Sequence, residues 1–202
     1  MANTNKPFGM RPLGNLSATG AQKQYGYLIK EDYATNIYQG DLVRIVAGYI
    51  ERVSANTQSS VGVFNGCYYN DPVTGKPTWS NKFIANAAYT VDIQADIVDD
   101  PSQLFLIQAD NTAIAQTDIG KNVYVAYGSG STTTGQSAMT TSGAPANTAG
   151  LTLKIIGLYA DPGNEFGAYA QLVVDRSLLI ACSALVIRVA FLNGFFGDTG
   201  KD

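Results

Sequence analysis

No histidine occurs among the 202 residues, and only 14% of them are charged. The first absence removes the commonest proton shuttle near neutral pH and the commonest metal ligand. Ser-His-Asp catalysis in its usual form is therefore excluded, and no G-x-S-x-G elbow is present. A phosphate loop ending in Gly-Lys-Ser or Gly-Lys-Thr is also missing. Gly128-Ser129-Gly130 runs on into Ser131-Thr132-Thr133 without the third glycine of a dinucleotide fingerprint. No cofactor, metal or enzymatic activity is expected.

Basic residues are sparse as well. Lys and Arg number 13 against 16 Asp and Glu, for a formal charge of −3. Affinity for nucleic acid rests on clustered cations that release counterions, and no such cluster occurs. Lys6, Arg11, Lys23 and Lys30 give the N-terminal region a mild basic bias, which suits local pairing or an acidic partner surface. Of the two cysteines, Cys67 lies in GCYY and Cys182 in IACSA, with no thiol or imidazole at metal-ligand spacing. A distant disulfide and two buried reduced thiols both remain open; the second is favoured because free cysteine packs like a small hydrophobe. The N-terminus MANTNKPFG has no signal-type apolar core, so synthesis in the cytoplasm is expected.

Short strands dominate what is present. QYGYLI, NIYQGDLVRIV, GYIERVS, SVGVFNGCYYN, AAYTVDIQADIV, QLFLIQAD, VYVAY, LTLKIIGLYA and GAYAQLVVD carry β-branched and aromatic residues at a spacing of two over part of their lengths. About nine strands predict a mainly β fold, a single barrel or sandwich-like domain. Gly48 between VRIVA and YIERV predicts a tight hairpin. The glycines inside SVGVFNGCYYN predict a bulge, a bend or close backbone approach. DPVTGKPTWS reads as a turn-rich loop, Asp161-Pro162-Gly163-Asn164 as a turn, and NTAIAQTDIG as one helical turn entered at Asn111 or Thr112. In the DIQAD strand, Val91, Ile93 and Ala95 share one face, and Asp92, Gln94 and Asp96 the other.

Three parts follow. Residues 1–20 are an extended arm broken by Pro7, Gly9, Pro12, Gly14 and Gly20, with Phe8, Met10 and Leu13 as anchors for docking; a mobile terminus is the alternative. Residues 21–176 form the β-rich body, with a neutral Ser/Thr/Gly surface excursion at 128–150. Residues 177–202 are an apolar segment with a polar end. Arg188 lies within the apolar run from Ser177 to Phe196, and a charge that deep costs about 2.5–3.5 kcal/mol on insertion scales. Buried elements or a partner surface are favoured there over a membrane span.

Two side-chain groups invite a functional reading. Asp96, Asp99 and Asp100 could serve as paired carboxylates, although Asp-Asp-Pro is an ordinary turn and glycan hydrolysis needs two opposed carboxyls. Tyr25, Tyr27, Tyr33, Tyr38, Tyr49, Tyr68, Tyr69 and Tyr89 would suit sugar stacking or a protein interface, or simply strand packing, which is favoured.

MANTNKPFGMRPLG, YATNIYQGDLVRIV with GYIERV, VGVFNGCYYNDPVTGKPTWS, GSGSTTTGQS and LKIIGLYADPGNEFGAYAQLVV, in this order, resemble the virion proteins of tailed bacteriophages. More narrowly, they resemble the small head-decoration or cement proteins, over most of Met1 to Asp175. That resemblance implies a homo-oligomer, expected as a trimer, on the outer capsid surface of the virion, where it bridges major capsid protein subunits. Linked weak contacts then reinforce the shell through effective concentration. Expected contact residues are Lys6, Phe8, Met10, Arg11 and Leu13 in the arm and Leu185, Phe191, Phe195 and Phe196 in the apolar segment, with no nucleic acid or membrane partner. Deleting Met1 to Leu13 is expected to leave the body folded. A tail or fibre component that binds a host glycan through Tyr and Asn is the alternative.

Overall fold

The computed structural model describes residues 3–16, 24–148 and 151–176, with the side chains of Gln24 and Tyr25 excepted. In chain order the first strands are β1 (Arg11–Asn15), β2 (Gln24–Ile29), β3 (Ile37–Tyr38), β4 (Leu42–Val46) and β5 (Tyr49–Arg52). They are followed by β6 (Gly62–Asn70), β7 (Pro77–Ser80), β8 (Lys82–Phe83), β9 (Ile93–Val98) and β10 (Gln103–Gln108). A 3-10 turn at Gln116–Asp118 precedes β11 (Asn122–Ala126), β12 (Thr140–Ala146), β13 (Leu153–Leu158) and β14 (Gln171–Asp175).

These strands build two six-stranded antiparallel sheets in a sandwich-like, mainly β arrangement, with β3 and β8 paired as a separate two-stranded sheet. The first runs β1-β10-β14-β13-β11-β12, and the second runs β2-β9-β6-β4-β5 with β7 added on β6. β5 comes back against β2, which curls the second sheet around its own apolar interior. That interior holds Ile29, Ile37, Val43, Ile50, Phe64, Cys67, Phe83, Ile93, Ala95 and Ile97. Tyr33, Phe83, Tyr89 and Tyr69 extend it as a chain of ring contacts with centroids 6.1, 5.9 and 5.5 Å apart.

Alternation along the strands produces the other core. Phe105 and Ile107 on β10 face Val174 and Leu172 on β14, and Ile155 on β13 meets Val174 from the far side. Leu42, Val63 and Val98 of the second sheet, with Val53 just beyond β5, close over this layer. Burying each such side chain contributes roughly 1.5–3 kcal/mol.

The Gly48 hairpin is present. Val46 pairs with Tyr49, while Ala47 (φ 49°) and Gly48 (φ 89°) supply the two left-handed residues of a two-residue turn. The β6 glycines act as expected, since the pairing of β6 with β9 shifts register between Phe64 and Gly66. Asn164 N donates to Asp161 O at 2.9 Å in the 161–164 turn. Other expectations need correction. DPVTGKPTWS is half loop and half strand, because Pro77–Ser80 pairs with β6. The helical turn falls later, at Gln116–Asp118, and is 3-10 in form. Val91 precedes β9 and is exposed, so it does not share the buried face of Ile93 and Ala95.

The largest correction concerns residues 128–150, expected as a surface excursion. Ser137, Met139 and Thr141 are buried, and Thr140–Ala146 is an edge strand paired with β11. Gly143 and Pro145 hide that strand from a propensity reading, although an edge is where a sheet tolerates proline.

Candidate interaction surface

The N-terminal arm lies along the β10 edge of the first sheet, held by side-chain amides that come from the body. Gln108, itself buried, donates through Nε2 to Thr4 O at 2.7 Å and accepts from Lys6 N at Oε1, 3.0 Å. At the other end of β10, buried Gln103 donates to Gly14 O at 2.6 Å. Asn3 adds contacts with the 165–168 loop, donating to Glu165 O (2.8 Å) and Ala168 O (3.0 Å). These bonds work because an extended arm leaves its backbone groups unpaired until something beside it supplies partners.

Between the two amides, the arm makes its own anchorage. Met10 N donates to Gly40 O at 2.9 Å, and the Met10 side chain is 1% exposed within the larger core. Gly9 precedes it at φ 72°, where an added Cβ would lie 2.4 Å from Ser137 Cβ. Only glycine permits so close an approach. β1 then pairs with β10, with a bulge between Pro12 and Gly14. Leu13 occupies that bulge and is turned outward, 42% exposed.

The expected contact residues therefore separate. Lys6, Arg11 and Leu13 are exposed, while Phe8 is partly covered and lies under the Arg11 guanidinium, 4.4 Å from the ring centroid. Met10 belongs to the core and offers no surface to a partner, because its whole side chain is enclosed by both sheets. Deletion through Leu13 would remove that core residue and much of β1, so a loss of stability in the body is expected along with the arm. A cleft of about 370 Å³ lies beneath the arm, lined by Phe8, Met10, Gly40, Phe64 and Asn65 among others. Leu185, Phe191, Phe195 and Phe196 lie outside the described residues, as does Cys182.

Behind the arm sits a buried polar knot that sequence reading missed. The carboxylate of Asp41 accepts from Arg52 Nε (2.8 Å), Ser137 Oγ (2.6 Å) and Tyr38 N (2.9 Å). Burial pushes the Asp41 carboxyl above its ordinary pKa, and Arg52 pulls it back. Three donors supply the hydrogen bonds that a carboxyl group needs in the interior. The signal lay in Asp41 standing inside the apolar phrase IYQGDLVRIV, where an unpaired carboxylate is too costly to bury.

The acidic group expected near 96–100 separates, with Asp96 on β9 and Asp99 and Asp100 in a structural turn. Asp100 Oδ1 caps Ser102 N at 2.8 Å, Asn15 donates to Asp100 Oδ2 at 2.6 Å, and Tyr27 donates to Asp99 at 2.8 Å. Arg176 closes this corner by donating to Ser60 O and Asp99 O, and burial lowers its pKa to about 10. Cys67 is a buried free thiol whose pKa burial raises to about 12.

The tyrosines divide between packing and exposure. Tyr27, Tyr33, Tyr38, Tyr69 and Tyr89 pack into the body, whereas Tyr68 and Tyr124 are exposed. Among the described residues no helix is long and apolar enough to cross a membrane, and no group of three or more metal-ligating side chains converges. In comparison with known proteins, no family model, no curated protein and no solved structure matches this chain.

Proposed function

We propose that this chain is a head-decoration protein of a tailed bacteriophage, binding the outer capsid surface as a homo-oligomer and bridging neighbouring capsid subunits. The observation that carries this reading is the strapped arm, which presents Lys6, Arg11 and Leu13 from a backbone fixed at both ends. A contact residue held in this way loses little conformational freedom on binding. β14 ends at Asp175 opposite Leu104, which in turn lies opposite Gly14. The chain thus enters its apolar C-terminal segment about two strand spacings, ~10 Å, from the exposed Leu13 and Leu16. The exposed Leu13 and Leu16 thus stand at one sheet edge near Arg176, which suits a single contact region that symmetry repeats around an oligomer.

The test is co-sedimentation of the purified protein with phage heads that lack it. Lys6→Glu combined with Leu13→Asp is expected to lower occupancy while the thermal midpoint stays unchanged, because both side chains are exposed. Unchanged occupancy overturns the reading.

A further inference from the structure

The second sheet has two faces, and only one is fully used. Its inner face encloses the smaller core, while its outer face is covered by the first sheet only around Leu42, Val63 and Val98. The uncovered part carries one ordered row. Trp79 on β7 pairs with Tyr68 on β6, Tyr68 with Gln94 on β9, and Gln94 with Leu28 on β2. Directly paired residues share a face, so these side chains stand side by side across roughly 14 Å of sheet. Trp79 is 47% exposed, Tyr68 51% and Leu28 44%.

The adjacent row explains why the platform is flat. It reads Gly66, Asp96, Gly26 across the same strands. An added Cβ on Gly66 would come within 2.7 Å of Trp79 Cζ2, and one on Gly26 within 2.6 Å of Gln94 Nε2. The indole and the amide therefore lie down over the two glycines, with the Asp96 carboxylate between them. Among the described residues, neither Gln94 nor Asp96 spends its side chain on an internal hydrogen bond.

We propose that this face binds a neutral carbohydrate chain, independently of the decoration reading. Two exposed rings offer flat apolar faces to the C–H side of a pyranose, and an amide and a carboxylate beside them offer donors and acceptors to its hydroxyls. Neither row contains a lysine or arginine, so phosphate or sulfate groups have no counter-charge there, and Asp96 repels them. A neutral polyhydroxyl ligand matches all of these features, and the length of the row suits a short oligosaccharide.

Trp79 is the sole tryptophan, so its emission reports on this face alone. The full-length protein is titrated with laminarin, dextran, soluble xylan and an N-acetylglucosamine oligomer. A saturable change in emission is expected with at least one of them. Affinity is expected to fall about tenfold in Tyr68→Ala and in Asp96→Asn, and to stay unchanged in Tyr124→Ala, whose ring is exposed on the other sheet. Asp96→Asn preserves shape, so it keeps the test decisive if Tyr68→Ala fails to fold. No saturable change with any probe, or equal responses from wild type and Asp96→Asn, overturns the proposal. A lower light-scattering mass for Tyr68→Ala also overturns it, since the occupant is then a second copy of the chain. Capsid occupancy enters none of these readings, so either proposal can fail alone.

Discussion

Ser137 Oγ donates a 2.6 Å hydrogen bond to Asp41 Oδ1, joining two residues 96 positions apart in the buried interior. Through this contact the uncharged 128–150 segment becomes part of the body, because its serine completes the partners of a carboxylate that has left water. Arg52 extends the same link by donating to Gly128 O as well as to Asp41.

Asp41→Asn should destabilise the protein more than Ser137→Ala. The first leaves the Arg52 guanidinium, 11% exposed, without its ion-pair partner and should cost about 3–5 kcal/mol. The second removes one bond to a charged group and should cost roughly 1.5–3 kcal/mol. Urea-unfolding midpoints check the order, and equal losses would show that Arg52 finds another partner.

In the arm, neighbouring substitutions should behave in opposite ways. Met10→Ala should cost about 2–5 kcal/mol through the cavity it leaves. Leu13→Ala, on the exposed bulge, should stay within about 0.5 kcal/mol of wild type. Gln108→Leu should release the Lys6 amide from its acceptor, Gln108 Oε1, so that its hydrogen exchange accelerates while β10 and β14 amides remain protected. Thermal melting and amide exchange by NMR measure these effects.

Cys67 should resist alkylation in the folded protein at pH 8 and react on unfolding, since only the thiolate is nucleophilic. The folded thiol holds its proton to about 12 against an ordinary value of 9.0. Between those values the unfolded chain binds fewer protons than the folded one, so this group's contribution to stability falls as pH rises through the window. Peptide mapping after iodoacetamide treatment separates Cys67 from Cys182. Rapid native labelling of Cys67 would contradict its burial.

Much of the strand pattern was legible because alternation is local. QLFLIQ became β10 and QLVVD became β14, and two positive-φ residues between VRIV and YIER became a hairpin. Phe8 to Leu13 read uniformly as a docking arm because sequence does not reveal which side of a strand meets a neighbour. Met10 and Leu13, an odd number of residues apart, point to opposite sides of the extended chain, and the bulge between Pro12 and Gly14 leaves Leu13 unpaired. Gln103 and Gln108 carry no signal in the sequence, since an amide's importance depends on which backbone passes within about 3 Å of it.

Sequence alone determined the mainly β class, the Gly48 hairpin and the absence of histidine, because these follow from composition and from spacing over a few residues. Tertiary structure decided which face each strand buries, that the neutral tract contributes an edge strand and a buried serine, and that Trp79, Tyr68, Gln94 and Leu28 share one row. The reason is register. Residues far apart in the chain become neighbours only when strands pair, and a shift of one position would turn every side chain to the opposite face.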